Sequence, residues 1–367
     1  MADRRASAGY RRVSRTGRRN AQNVYSPLLE PRKSGTIPAS TDRHDVPMMT
    51  RPRLYVARLL PDEVMRLVRQ EFGLTAEPRS EPPDPLTLLD GLREADAAIC
   101  TLTERIGAEV LAQAPRLRVI ANYAVGYDNI DVPAAQARGL IVTNTPEVLT
   151  DATADLTWAL LLAVARRLTE GDRLVRQGAW TGWAPTQLLG AEVHGKTLGI
   201  VGMGRIGQAV ARRAAGFAMR VLYASRRDVP AGAGGSTWQR RPLQDLLTES
   251  DFVSLHVPLT PETRHLIGTR ELQRMKPTAY LINTARGPVV DETALADALA
   301  SGRIAGAGLD VYEQEPRVHP GLLALPQVVA LPHLGSATHH ARIRMGLMCV
   351  ENVRAVLAGR PALNPVT

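Results

Sequence analysis

Three stretches late in the chain carry side chains that can do chemistry together. Ile282-Asn283-Thr284-Ala285-Arg286-Gly287 offers a guanidinium, and Leu331-Pro332-His333-Leu334-Gly335-Ser336-Ala337-Thr338 offers an imidazole. Between them, Gly308-Leu309-Asp310-Val311 and Glu313-Gln314-Glu315-Pro316 offer carboxylates. An arginine can clamp a carboxylate with paired, charge-assisted hydrogen bonds and polarise a neighbouring carbonyl oxygen. Histidine titrates near neutrality, so it can protonate a developing alkoxide or take the proton back. A carboxylate beside the imidazole fixes the ring and favours its protonated form. Arg286, Glu315 and His333 are therefore the candidate catalytic residues, suited to interconverting a ketone and an alcohol beside a carboxylate. Singly, each has a plain alternative: a surface arginine, a loop glutamate, a structural histidine. Their shared placement at strand ends favours the chemical reading, because the crevice of an open parallel sheet lies beyond the carboxyl ends of its strands.

Those strands belong to a regular alternation. Short apolar runs predict strands at Leu54–Ala57, Ala97–Thr101, Val119–Ala121, Ile141–Thr143, Thr197–Val201, Val221–Ala224, Phe252–His256, Tyr280–Asn283, Gly306–Leu309 and Val328–Ala330. Helical patterns lie between them, among them Pro61–Phe72, Ala108–Ala112, a long helix Ala152–Gln177 with Asp151 as N-cap, and a final helix Ala341–Leu357. Strand–helix alternation of this kind predicts an α/β fold with parallel sheets covered on both faces.

Gly202-Met203-Gly204-Arg205-Ile206-Gly207 is a G-x-G-x-x-G placed directly after one expected strand and at the start of a helix, with a second strand following. That context makes it a dinucleotide site: Gly202 for the tight turn, Gly204 for close approach of a pyrophosphate, Gly207 for helix–strand packing. The phosphates then face the free N–H groups of the helix N-terminus. Where a site for NAD would place an acid for the ribose 2′-hydroxyl, the chain reads Ala224-Ser225-Arg226-Arg227. Two guanidiniums and a hydroxyl suit a 2′-phosphate, so NADP(H) is the preferred cofactor. NAD(H) stays possible, because the turn can also be a solvated basic one with Asp228 as the acid.

At 367 residues, with 44% hydrophobic and 22% charged residues, the chain is long enough for two soluble domains. Its net charge of +9 is uneven. Residues 1–50 hold ten Arg/Lys against four Asp/Glu and show no apolar period, which predicts a disordered basic leader. The excess thus sits in a tail, and no nucleic-acid partner is expected. The leader also resembles a transit peptide, although apolar residues for an amphipathic face are missing. Met48 and Met49 precede the first strand, so an upstream start assignment is a further explanation. The two cysteines, Cys100 and Cys349, lie in apolar stretches and read as buried thiols, which suggests a reducing, cytoplasmic setting. The longest apolar run, Leu156–Ala165, has the length of a core helix, so no membrane span is expected.

These motifs, with Asn122-Tyr123-Ala124-Val125-Gly126-Tyr127-Asp128-Asn129-Ile130-Asp131 and Ser254-Leu255-His256-Val257-Pro258-Leu259-Thr260-Pro261-Glu262-Thr263, resemble the D-isomer-specific 2-hydroxyacid dehydrogenases from about Pro52 to Thr367. Gly178-Ala179-Trp180-Thr181-Gly182-Trp183 and the Ser225–Arg227 turn are most similar to the glyoxylate/hydroxypyruvate reductases of that family. The resemblance implies NADPH-dependent reduction of a small 2-oxo acid to the D-2-hydroxy acid. It implies that Arg286 binds substrate, that Glu315 pairs with His333, and that His333 is the acid/base. The N–H groups of Val125 and Gly126 would hold the substrate carboxylate. Arg205 and Ile206 would meet the pyrophosphate, and Thr153, His256, Val257, Pro258, Thr263, Thr284, Ala285 and Gly335 would line the cofactor cleft. Asp310 would contact the nicotinamide amide. A homodimer is implied, with Trp183 reaching the partner's active site; the plain alternative is an interface or core tryptophan. No metal is called for.

The implied architecture is two doubly wound parallel-sheet domains, a Rossmann coenzyme domain inserted into a flavodoxin-like substrate domain. The substrate domain would comprise residues 51–147 and 335–367, and the coenzyme domain residues 148–334. No regulatory domain is expected, which argues against the phosphoglycerate dehydrogenases that carry one. Two competing readings share the fold. A formate dehydrogenase would be expected to pair its histidine with glutamine, whereas Glu315 stands here. A nicotinamide-sensing corepressor could keep the same Arg–Glu–His set, but would need a peptide groove and a preference for NADH that Arg226 and Arg227 oppose. Residue types do not fix which 2-oxo acid is used, since pockets discriminate by only about 1–3 kcal/mol per methylene.

Overall fold

The computed structural model describes residues 51–229 and 237–366. The expected disordered leader, residues 1–50, lies outside the described residues.

The described strands form two sheets. The first contains β1 (Arg53–Val56), β2 (Gly73–Leu74), β3 (Ala97–Cys100), β4 (Val119–Asn122) and β5 (Ile141–Thr143), in the order β2-β1-β3-β4-β5. The second contains β6 (Thr197–Val201), β7 (Arg220–Ala224), β8 (Gln239–Arg240), β9 (Phe252–Leu255), β10 (Tyr280–Asn283), β11 (Gly306–Leu309) and β12 (Val328–Ala330). Its order is β12-β11-β10-β9-β6-β7-β8. Every pairing is parallel. In each sheet the chain runs outward in one direction and then returns to build the other side, so each is doubly wound, with a crevice where the order reverses.

The ten strands expected from sequence all form, with ends moved by at most one residue. β2 and β8 are additional edge strands of two residues each, too short to leave a periodic signal. Central strands such as β3, β4, β9 and β11 are buried at every position, because parallel strands are covered by helices on both faces. The second sheet has Leu247, Leu255, Leu281 and Leu295 in one buried cluster and Leu160, Leu161, Ile200 and Val210 in another. The last helix, His339–Leu357, returns to the first sheet and packs Met345, Cys349, Val350 and Val353 with Leu54, Val56 and Val119.

One expected element is wrong. Ala152–Gln177 is not a single helix: Thr150–Ala165 and Leu168–Arg176 are separated by Arg167 in the left-handed region, φ 52°. The Arg167 guanidinium grips Glu170 with bonds of 2.8 and 2.7 Å, and the Ala165 carbonyl accepts from the Ala191 N–H at 2.8 Å. Leu149, not Asp151, is the N-cap; Asp151 sits in the first turn and pairs with Arg213 at 3.1 Å. Among the described residues no helix is long and apolar enough to cross a membrane.

Candidate active site

The glycine motif forms the turn between β6 and the helix Arg205–Ala214. Gly202 has φ +97°, and a Cβ there would lie 2.6 Å from the His256 carbonyl carbon, so only glycine fits. At Gly207 a Cβ would lie 2.2 Å from the Gly202 carbonyl oxygen, so strand and helix meet without a side chain between them. Gly204 faces open space, and the helix it caps has no acidic residue in its first turn. A bare turn and helix N-terminal N–H groups with no acid in the helix's own first turn fit a pyrophosphate. Arg205 forms an ion pair with Glu147 at 3.2 Å.

At the end of β7 the Ser225–Asp228 turn borders a cavity of about 420 Å³ lined by Ala224, Ser225, Arg240, Arg241, Pro242 and Leu243. Arg226 and Arg227 are exposed on that turn. Arg240, on β8, donates to the Asp228 carboxylate and to the Ser225 carbonyl, both at 2.8 Å. Asp228, the acid that a 2′-hydroxyl would need, is therefore engaged by a guanidinium. Arg240 was not anticipated from sequence; its only trace is a second basic pair, Arg240-Arg241, ahead of Pro242.

Several of the residues expected to line the cofactor cleft are held by hydrogen bonds, some local and some between segments far apart in sequence. Thr263 donates from Oγ1 to the Pro258 carbonyl at 2.6 Å, and His256 Nε2 lies 2.8 Å from Ser254 Oγ. Burial pushes the His256 imidazole down to about 3, which keeps the ring neutral. Thr284 and Thr157 hydroxyls meet at 2.8 Å, and Thr153 Oγ1 donates to the Gly335 carbonyl at 3.1 Å.

The three candidate catalytic residues follow β10, β11 and β12, which are neighbours in the sheet. His333 Nδ1 lies 2.9 Å from Glu315 Oε2, and Glu315 Oε1 accepts from the Tyr312 N–H at 3.1 Å. With Nδ1 committed to Glu315, Nε2 is the nitrogen left to exchange a proton. His333 is in the left-handed region, φ 54°, and its N–H donates to the Asp310 carbonyl at 3.0 Å. The buried Asp310 carboxylate accepts from the Leu334 N–H at 2.6 Å and the Gly335 N–H at 2.8 Å. Its pKa is raised, chiefly by burial, and these donors work against that rise. Asp310 thus holds the unfavourable backbone of His333, a role that residue type and spacing did not reveal.

Arg286 donates from Nε to Asp128 at 2.9 Å and from Nη1 to the Ala285 carbonyl at 2.9 Å. Its Nη2 is packed over Gly126, where a Cβ would lie 1.8 Å away. The Gly126 and Val125 carbonyls are tied by Asn122 and Asn144, each at 2.8 Å. Among the described residues neither the Val125 nor the Gly126 N–H has an acceptor. Two N–H groups and a guanidinium edge together make a cradle for a carboxylate. Trp183 is 83% exposed and is not brought to this cradle within the chain.

Two doubly wound sheets, a nucleotide turn and an Arg–Glu–His set at neighbouring strand ends define a nicotinamide-dependent oxidoreductase. Residues 158–335 match the family described as D-isomer specific 2-hydroxyacid dehydrogenase, NAD binding domain. The chain is 51% identical over 313 residues to a glyoxylate reductase of Thermococcus gammatolerans, covering 84% of this chain and 94% of that one. It is 50% identical over 327 residues to a glyoxylate reductase of Aeropyrum pernix, covering 87% and 96%. Among solved structures, a protein of Thermus thermophilus superposes with a TM-score of 0.80 at 49% identity, covering 86% of this chain and 100% of that one. An NADPH-dependent glyoxylate/hydroxypyruvate reductase of Sinorhizobium meliloti, solved with NADP and malonate, superposes with a TM-score of 0.78 at 35% identity, covering 87% and 97%. The chain belongs to the D-isomer-specific 2-hydroxyacid dehydrogenase family.

Proposed function

We propose that this chain reduces a small 2-oxo acid, glyoxylate or hydroxypyruvate, to the D-2-hydroxy acid with NADPH. The observation that carries the reading is the His333–Glu315 pair at 2.9 Å, in the loops after β12 and β11, the next two strands beside β10, whose loop carries Arg286. The nicotinamide, when bound, supplies hydride equivalents. The Val125 and Gly126 N–H groups and Arg286 hold the substrate carboxylate, and Arg286 polarises the keto oxygen. His333 gives a proton from Nε2 to the oxygen that becomes the hydroxyl, while Glu315 orients the ring and stabilises its charged form. Asp310 and Thr153 fix the His333–Gly335 segment, and Asp310 also serves the nicotinamide amide. Steady-state rates across a panel of 2-oxo acids, with NADPH and with NADH, test this; no turnover with any 2-oxo acid would refute it.

The preference for NADPH rests on Ser225, Arg226 and Arg227, joined by Arg240, which occupies Asp228. Charge-assisted bonds to a 2′-phosphate support a preference of about ten- to several-hundred-fold in kcat/KM. We read the protein as a homodimer. The exposed apolar side chains Leu168, Val175, Trp180, Trp183 and Leu189, clustered in residues 168–189, support this, with Trp183 directed to the partner's active site. Buried, free Cys100 and Cys349 agree with a reducing cytoplasm.

A further inference from the structure

Arg286 and Asp128 are 158 residues apart in sequence, and their ion pair joins the loop after β10 in the second sheet to the loop after β4 in the first. Their side chains are 20% and 34% exposed, and exposed pairs of this kind contribute little to stability. Its consequence is geometric. A guanidinium has five donors in a planar fork. Here Nε is taken by Asp128 and one edge of Nη1 by the Ala285 carbonyl. The donors left over belong mainly to Nη2, and that atom is the one pressed against Gly126, beside the free Val125 and Gly126 N–H groups. Without the Asp128 contact, the Arg286 side chain could turn about its stem and present a different edge. The Asp128 loop is itself fixed: Asn129 Nδ2 donates to the Thr101 carbonyl at 2.9 Å and the Glu104 carbonyl at 3.0 Å.

We infer that Asp128 is a positioning residue for the reaction: by accepting from Nε it turns the Nη2 edge of Arg286 toward the carboxylate of the 2-oxo acid. The inference rests on the reading of Arg286 as the substrate arginine. Two opposed effects follow from one side chain. The carboxylate orients the guanidinium, and its negative charge opposes an incoming anion. Orientation dominates, because the charge is neutralised by the arginine it holds, whereas a misturned fork loses its bonds to substrate altogether.

The test uses the full chain, with glyoxylate and NADPH for kinetics and oxamate, an unreactive analogue, titrated into NADPH-saturated protein for binding. Asp128→Ala raises KM for glyoxylate and Kd for oxamate by tenfold or more, with a smaller fall in kcat and with NADPH affinity within twofold of the parent. Asp128→Asn keeps an acceptor for Nε and recovers at least threefold of that loss. In an Arg286→Gln background, assayed at high enzyme concentration, Asp128→Ala has no further effect on kcat/KM. Oxamate affinity within twofold of the parent in Asp128→Ala would overturn the inference, as would Asp128→Asn no better than Asp128→Ala, or an equal loss in the Arg286→Gln background. Those failures leave an active parent enzyme. A parent that reduces no 2-oxo acid refutes the functional reading instead.

Discussion

Glu315 divides its two carboxylate oxygens between His333 Nδ1, 2.9 Å away, and the Tyr312 N–H, 3.1 Å away. One oxygen anchors the carboxylate to its own loop and the other holds the imidazole. Replacing Glu315 with Gln keeps the shape and can keep both contacts, but removes the charge that stabilises a protonated ring. A fall in kcat of about 10- to 100-fold is expected, part of the 10²–10⁴ available to a positioned acid. NADPH affinity, measured by fluorescence titration, stays unchanged.

Asp310 is the clasp under His333. An amide at this position has one acceptor oxygen and sets an N–H₂ against the second backbone N–H. Asp310→Asn therefore leaves a buried donor unmatched beside a residue with φ 54°, at a cost of about 1–3 kcal/mol in stability. Urea unfolding measures that loss, and kcat falls about tenfold as His333 loses its fixed orientation.

The proposed preference for NADPH makes Arg240 a determinant beside the turn it supports. Arg240→Ala releases Asp228 to accept from a ribose 2′-hydroxyl and removes a guanidinium from the cavity beside Ser225. The ratio of kcat/KM for NADPH over NADH falls at least fivefold. Adding Asp228→Asn to that variant restores part of the ratio, because the released acid is then gone. The parent ratio shrinks as salt rises, since exposed charges make it.

His256 gives the fold an acid-side liability. An unfolded histidine takes its proton near pH 6.5, whereas burial holds the folded ring neutral down to about 3. Between these values the unfolded state binds the extra proton. The associated stability is complete above about pH 6.5 and is lost as pH falls toward about 3. His256→Gln, which can still bond Ser254, loses less stability than the parent between pH 7 and pH 5 in urea titrations.

Much of this was legible in the residues. Strands buried on both faces announce themselves as apolar runs, and the glycine motif follows one of them directly. Arg286, Glu315 and His333 lie in the loops that follow three such runs, so the topology brings those loops to one edge. The departures have physical causes. The helix break at Arg167 depends on a local ion pair with Glu170 that no apolar period reports. Arg240 reaches Asp228 from an edge strand of two residues. The role inferred for Asp128 runs through a partner 158 residues away, and Asp310 is held by two backbone N–H groups. Contacts of these kinds depend on the folded geometry, not on spacing.

The most direct test of the central claim is the initial rate of NADPH oxidation at 340 nm with glyoxylate, for the parent chain and for His333→Ala. The account predicts saturable, glyoxylate-dependent oxidation by the parent. It predicts that His333→Ala binds NADPH normally but turns over about 10²- to 10⁴-fold more slowly. Turnover by His333→Ala within threefold of the parent would contradict it.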